Sequence, residues 1–345
     1  MQGTLSAFAS LNVAKALFHN YMPKKKHRFN LEGGFLINKT INEPWIKLKG
    51  SLSREDYDLI NVLQMQCSHK DQITLKLELD YKLSDAVNST DTAIRDINEF
   101  MYFDGEQLIG YIGICGFGGT SAPLEITGAV HPGYRCQGIF SKLHELVIAE
   151  CRRRNAGSNL VLCDKKSVSG QKFLERVGAA YKYSEFEMYL HDESYEITEK
   201  RLRGINFRKA TNADACEIAQ QNTIYFGDRP EEENEDVPNK RILLPEDEER
   251  RGMTIYLVEK DDRIIGKVHL QLINGLGGIY GLGVLPESRG KGFGRAILLY
   301  AIEKLKHAKA TKIMLQVAAE NATALSLYKS CGFQETSVMD YFELE

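Results

Sequence analysis

The feature that most constrains this chain is that it repeats itself at a fixed interval. The segment Val130-His131-Pro132-Gly133-Tyr134-Arg135-Cys136-Gln137-Gly138-Ile139-Phe140 is answered 154 positions later by Val284-Leu285-Pro286-Glu287-Ser288-Arg289-Gly290-Lys291-Gly292-Phe293-Gly294. The same offset pairs Pro132 with Pro286, Arg135 with Arg289, Gly138 with Gly292 and Gly178 with Gly332, with no insertion between them. A period this long indicates a duplicated folding unit. The 345 residues suit two domains of about 150 each.

Both copies share one grammar. Apolar strands at 107–115 and 124–130, and again at 264–272 and 278–284, precede the glycine segment. A helix follows; in the second copy Ile297, Ala301 and Leu305 fall on one stripe, flanked by Leu298 and Ile302. Next come a strand (159–163; 313–317), a short helix ending at a glycine (171–178; 325–332) and a last strand expected to close its own copy (184–190; 337–344). Each copy opens with a strand (45–49; 205–209) and a capping box, Ser53-x-x-Asp56 or Thr211-x-x-Asp214. The charged stretch 191–204 lacks periodicity. The expected division is therefore a basic tail at 1–34, a first unit at 35–190, a linker at 191–204 and a second unit at 205–345. Strands alternating with helices give an α/β (α+β) class.

Composition removes several functions. With 44 basic and 47 acidic residues the net charge is −3, without the basic excess of a nucleic-acid binder. No apolar window is long enough to span a membrane. Seven cysteines, odd in number and free of C-x-x-C, argue against a disulfide framework and a zinc site, so no metal is expected and reduced thiols suit the cytoplasm. Residues 1–31 contain no acid but hold Lys15, Lys24, Lys25, Lys26 and Arg28, which reads as a basic tail or as an organelle transit segment.

The glycine segment leaves a strand and enters a helix, where successive main-chain amides have no internal partner. With the helix dipole they form an anion cradle. Glycines at 290, 292 and 294 let a ligand approach, and Arg289 and Lys291 add positive charge. The implied ligand is a phosphate or pyrophosphate; the other reading is a helix start packed tightly on a sheet. The P-loop run G-x-x-x-x-G-K-[ST] is absent, and a dinucleotide fingerprint belongs on the first strand of a unit, whereas this segment follows several.

These residues carry a resemblance. The pattern [RQ]-x-x-G-x-[GA] after a strand resembles the acetyl-CoA motif of the GNAT acyltransferase superfamily. Downstream, Asn321-Ala322-Thr323-Ala324-Leu325-Ser326-Leu327-Tyr328-Lys329-Ser330-Cys331-Gly332-Phe333 resembles that family's N-x-x-A-x-x-L-Y-x-x-x-G-F segment. The likeness spans about 35–190 and 205–345. It implies two tandem GNAT-like domains, each a mixed, mostly antiparallel sheet flanked by helices. It further implies that the pyrophosphate of coenzyme A lies on the amides of Arg289, Gly290, Lys291, Gly292, Phe293 and Gly294. The pantetheine arm then runs between strands ending near Val284 and Val317, and the acyl carbonyl lies by Leu282, Gly283 and Val284. Asn321 would help hold the cofactor, and Tyr328 would protonate the leaving thiolate. The implied reaction is direct attack of an amine on the acetyl-CoA thioester. A thiol titrates at about 8.5 and a phenol at about 10, so a tyrosine is neutral at pH 7 and can give its proton or a hydrogen bond to the nascent thiolate.

The general base stays open. No acid occurs at 277–283; His269 or water relayed to backbone are the candidates, and Glu287 reads as a solvated loop charge. In the first copy the offset places Leu174 and Ser167 where the second has Tyr328 and Asn321. That copy keeps Arg135 and Gly138, so Val130, Arg135, Cys136, Gln137, Gly138, Ile139 and Phe140 form a second candidate cofactor site, with Glu125 a candidate base. The second copy is expected to be catalytic and the first degenerate. Ten acids between 228 and 249 read as a solvated loop or as an acidic lip for a cationic acceptor. The expected partner is a small-molecule or peptide amine, with no nucleic acid and no membrane; a homodimer stays open. The alternatives are a regulatory protein that only binds acyl-CoA, and a transferase of a longer acyl group.

Overall fold

The computed structural model describes residues 39–88, 96–116, 123–154, 158–191, 204–226 and 244–344. The basic tail, most of the linker and the acids at 228–236 lie outside these residues. In chain order the elements are β1 (Pro44–Lys49), α1 (Arg54–Asp71), α2 (Leu79–Asn88), β2 (Glu99–Asp104), β3 (Gln107–Gly116), β4 (Leu124–Val130), α3 (Ile139–Arg154), β5 (Asn159–Asp164), α4 (Val168–Val177), β6 (Ala180–Leu190), β7 (Asn206–Lys209), α5 (Ala215–Phe226), α6 (Pro245–Arg250), β8 (Met253–Lys260), β9 (Arg263–Ile273), β10 (Leu276–Val284), α7 (Phe293–His307), β11 (Lys312–Ala318), α8 (Ala322–Lys329) and β12 (Phe333–Glu343).

Local chemistry sets the boundaries. Ser53 caps α1, its hydroxyl accepting from the Asp56 amide, and Thr211 and Asp214 form the expected reciprocal box. Gly178 ends α4 in the left-handed conformation that glycine adopts without strain. Along β2 the side chains alternate. Phe100 and Tyr102 pack with Leu143 and Val147 of α3, while Met101 and Phe103 pack with Ile60 and Leu63 of α1. In the second copy the predicted stripe of α7 is buried against β9, β10 and β11.

All the strands join one mixed sheet in the order β1-β2-β3-β4-β5-β12-β6-β11-β10-β9-β8-β7. This order corrects the expectation that each last strand closes its own copy. β6, from the first copy, pairs antiparallel with β11 of the second, and β12 pairs with β5 of the first. The exchange extends into the cores. Met188 of β6 is 0% exposed inside the second copy's cluster, and Phe342 of β12 packs against the first copy's. The two last strands also pair with each other, which makes the sheet continuous.

Two places in the sheet open. β10 and β11 run parallel but pair only from Leu276↔Lys312 to Ile279↔Leu315. β4 and β5 pair only from Leu124↔Asn159 to Ile126↔Val161. Beyond those points the strands part, leaving a splay in each copy that faces its glycine turn.

Candidate active site

The second glycine turn presents open main-chain amides. Gly290 and Gly292 adopt φ of 73° and 84°, and a Cβ added at either would meet nothing within 4 Å. The Ala296 amide bonds the Gly292 carbonyl, so α7 begins there. No acceptor within the described residues takes the amides of residues 290–295. One expectation is corrected: the Arg289 amide is already bonded to the Pro286 carbonyl at 3.2 Å. Its guanidinium Nε donates to the Val284 carbonyl at 2.9 Å, and Lys291 Nζ donates to the Glu287 carbonyl at 2.9 Å. Arg289 therefore fastens the turn to the strand, and the free amides start at Gly290.

The first turn keeps this backbone. Cys136 and Gly138 take φ of 60° and 78°, and Arg135 Nε donates to the Val130 carbonyl at 3.1 Å. Arg135 also pairs with Asp71 at the end of α1. Asn321 and Ser167 do equivalent work as caps of α8 and α4, accepting from Ala324 N at 3.0 Å and Gly170 N at 3.3 Å. The Asn321 oxygen is thus committed to its helix.

Tyr328 and Leu174 differ in kind. Leu174 is a buried apolar side chain in the first core. Tyr328 is 8% exposed and lies edge-on to Phe333, and no described residue hydrogen-bonds its hydroxyl. Burial pushes its pKa up to about 12, so the phenol keeps its proton at neutral pH.

Beside the splay, β10 carries a bulge between Tyr280 and Gly283, with Gly281 at φ 54°. Lys267 of β9 lies under it, fully buried. Its Nζ donates to the Gly281 carbonyl at 3.2 Å and sits 3.1 Å from His269 Nε2. The Tyr225 ring of α5 is 5.6 Å away. Burial lowers the lysine to about 7. Burial, and then the lysine's charge, hold His269 well below the usual imidazole range. His269 is thus a neutral, enclosed partner of Lys267. Sequence reasoning passed over Lys267, although 267, 269 and 271 form an alternating polar row within an apolar strand.

Between the splays lies a carboxylate-rich cluster around Lys76. Residues 73–78 cross the sheet, held by Thr74 N to Asp164 Oδ2 at 2.7 Å and Thr127 Oγ1 to the Lys76 carbonyl at 2.9 Å. Lys76 Nζ meets Tyr341 Oη at 2.7 Å, Glu125 at 3.4 Å and Glu185 at 3.8 Å. Burial pushes the carboxyls of Glu78, Glu125 and Glu187 up, with Lys76 opposing the shift in each. Glu78 and Glu187 in turn help raise the phenol of Tyr280 on β10, after burial. Glu125 is thus an ion-pair partner of Lys76 as well as a group near the first splay. Of the acids in the 228–249 stretch, the described ones serve α6. Glu249 pairs with Lys209, Asp247 with Arg250 and Glu248 with Arg251, and Glu246 accepts from Asn212. Among the described residues no group of three or more His, Cys, Asp or Glu could hold a metal, and no helix is long and apolar enough to cross a membrane.

Comparison with known proteins follows this geometry. The Acetyltransferase (GNAT) family matches twice, at residues 72–179 and 217–333. A mycothiol acetyltransferase of Pseudarthrobacter chlorophenolicus is 27% identical over 237 residues, covering 66% of this chain and 72% of that protein. One from Renibacterium salmoninarum is 31% identical over 224 residues, covering 62% and 64%. Among solved structures, a GCN5-related N-acetyltransferase from Sphaerobacter thermophilus superposes with TM-score 0.66 at 18% identity, covering 86% of this chain and 95% of that one. A tandem GNAT protein from the clavulanic acid biosynthesis pathway gives TM-score 0.62 at 13% identity, covering 87% and 98%. These two likenesses are of fold.

Proposed function

The chain belongs to the GNAT acetyltransferase family and is a tandem acyltransferase, and from that premise we propose that its second copy moves an acetyl group from acetyl-CoA to a primary amine of a small molecule or peptide. The observation that carries this reading is the row of acceptor-free amides at 290–295 beside a buried tyrosine whose hydroxyl no described residue engages. The residues present fit coenzyme A: bare amides over open space suit a diphosphate, and the parted strands β10 and β11 offer main-chain groups to the amides of an extended arm. Bound acetyl-CoA supplies an activated thioester; Gly290, Lys291, Gly292, Phe293 and Gly294 would hold its diphosphate.

The remaining chemistry is assigned to side chains. A neutral amine attacking the thioester carbon would form the C–N bond as the C–S bond breaks; Tyr328, protonated at neutral pH, would give a hydrogen bond or its proton to the departing sulfur, and the proton shed by the nitrogen would return through water to the phenol. Arg289 keeps the turn seated on Val284. The named activity of the two bacterial relatives supports a small-molecule amine as acceptor. So does the central cluster, where Glu78, Glu125, Glu185 and Glu187 outnumber Lys76 and would favour an ammonium-bearing acceptor. We place the boundary between the units in 191–204 and assign the first copy to acceptor binding, since it supplies Glu78, Glu125, Glu185 and Glu187.

The test is Tyr328→Phe, assayed by thiol release from acetyl-CoA with a panel of primary amines. Turnover falling about a hundredfold or more at unchanged coenzyme A affinity supports the assignment; unchanged turnover removes Tyr328 as the acid. Binding of acetyl-CoA by the parent protein with no thiol release for any amine would favour a binder over an enzyme at this site.

A further inference from the structure

The bulge in β10 belongs to the second copy alone, and so does the lysine beneath it. In the first copy the β3–β4 ladder runs without interruption from Gly110↔Val130 to Gly116↔Leu124. In the second, β9 and β10 pair from Val284↔Gly266 to Gly283↔Lys267, then resume only at Tyr280↔His269. Gly281 and Leu282 are left without ladder partners at the mouth of the splay. Ala129 and Gly283 are equivalent by the repeat and pair with Tyr111 and Lys267 respectively, so Tyr111 is the first copy's counterpart of Lys267. Both are fully buried. Tyr111 spends its hydroxyl on side chains, Lys82 Nζ at 3.1 Å and Glu99. Lys267 instead reaches main chain, the carbonyl of the bulged Gly281.

A bulged peptide within a sheet, here half-buried, is steadied by a donor from elsewhere for the carbonyl that has left the ladder. A primary amine on a flexible stem is compact enough to provide one between two strands. His269 completes the clamp, because its ring lies 3.2 Å from where a side chain on Gly281 would begin. We propose that Lys267 is a positioning residue for acyl transfer: by holding the Gly281 carbonyl it keeps the Gly281 and Leu282 peptides out of the ladder, at the place where the acyl group must lie. This rests on the functional reading above. It assigns the first copy's intact ladder a consequence as well, since that copy lacks both the bulge and the donor.

The experiment compares Lys267→Met, Lys267→Gln and the parent protein. Thiol release from acetyl-CoA is followed with the most responsive of putrescine, glucosamine and glycylserine, together with coenzyme A affinity and hydrogen exchange of the 276–284 peptide. The expected result for Lys267→Met is kcat lowered about ten- to a hundredfold, with KM for acetyl-CoA and coenzyme A affinity within about threefold of the parent. Exchange over the bulge is expected to speed up. Lys267→Gln, which keeps an amide donor, is expected to recover most of the lost kcat. A Lys267→Met kcat within twofold of the parent overturns the proposal, as does a loss carried equally by kcat and coenzyme A affinity. If Lys267→Met does not fold, the glutamine variant decides alone: it must hold kcat within about tenfold, with KM unchanged. Should Tyr328→Phe abolish turnover while both Lys267 variants stay fully active, only this proposal falls. Should the parent release no thiol with any amine, the functional reading falls and takes the proposal with it.

Discussion

Lys267 also predicts an unusual pH dependence of stability. An unfolded lysine holds its proton to about 10.4. In the folded chain burial lowers the group to about 7. Between those values the unfolded state binds the additional proton, so stability rises with pH, by about 1.4 kcal/mol per unit where the difference is complete. Below about 7 the whole penalty is present. It is relieved as pH climbs through 7 and ceases to change above about 10. Over pH 7 to 9 the gain is about 2 kcal/mol, because the slope is only half developed at the lower end. His269, held well below its ordinary value, stays neutral across this window and adds no slope. The assay is urea unfolding at pH 7, 8 and 9, comparing the parent with Lys267→Met, so that groups titrating in both proteins cancel. The stability of the parent relative to Lys267→Met is expected to rise by about 2 kcal/mol between pH 7 and 9. Parallel curves would mean that Lys267 is charged and compensated throughout, and would refute its assignment as a buried group close to neutrality.

Further expectations follow from other parts of the fold. Met188→Ala removes a fully buried side chain that the first copy lends to the second core; a loss of about 2–5 kcal/mol is expected, and unfolding monitored separately in each copy should shift in both. Glu187 lies near Tyr280 in the central cluster, and Glu187→Gln should raise KM for a cationic amine several-fold while leaving KM for acetyl-CoA unchanged; an equal change in both would remove the cluster from acceptor binding. Arg289→Ala loses the bond to the Val284 carbonyl, so coenzyme A affinity should fall about tenfold, measurable by calorimetry. The matching Arg135→Ala reports whether the first turn contributes to that binding.

What was legible in the sequence was local or periodic. The helix cap at Ser53, the capping box at Thr211 and the stripe on α7 each have a signature within a few residues, and the structure forms each of them, though the Asp56 carboxylate takes Lys47 and Lys49 rather than the Ser53 amide. The exchange of β6 and β12 has no such signature. Both strands alternate as any last strand would, and the choice of neighbour is made by long-range pairing. The central cluster was hidden for a similar reason. Glu125, Glu185 and the 73–78 segment are far apart in the chain, and only the continuous sheet brings them together. Lys267 was within reach of pattern reasoning, since a buried lysine on the polar row of an apolar strand calls for a local acceptor. The bulge that supplies this acceptor depends on a pairing register that no short motif encodes. Arg289 adds a role that its charge did not suggest: its guanidinium Nε fastens the turn to the Val284 carbonyl.

The central claim is that the open amides of residues 290–295 grip a diphosphate. It is tested most directly by calorimetric titration of coenzyme A into the parent protein, Gly292→Val and Gly138→Val. At φ 84° a β-branched residue strains the turn, although its Cβ would meet no other group. The account predicts that Gly292→Val weakens coenzyme A binding more than tenfold, about 1.4 kcal/mol, without a matching loss of folding. Equal affinity of Gly292→Val and the parent, or a loss confined to Gly138→Val, would contradict it.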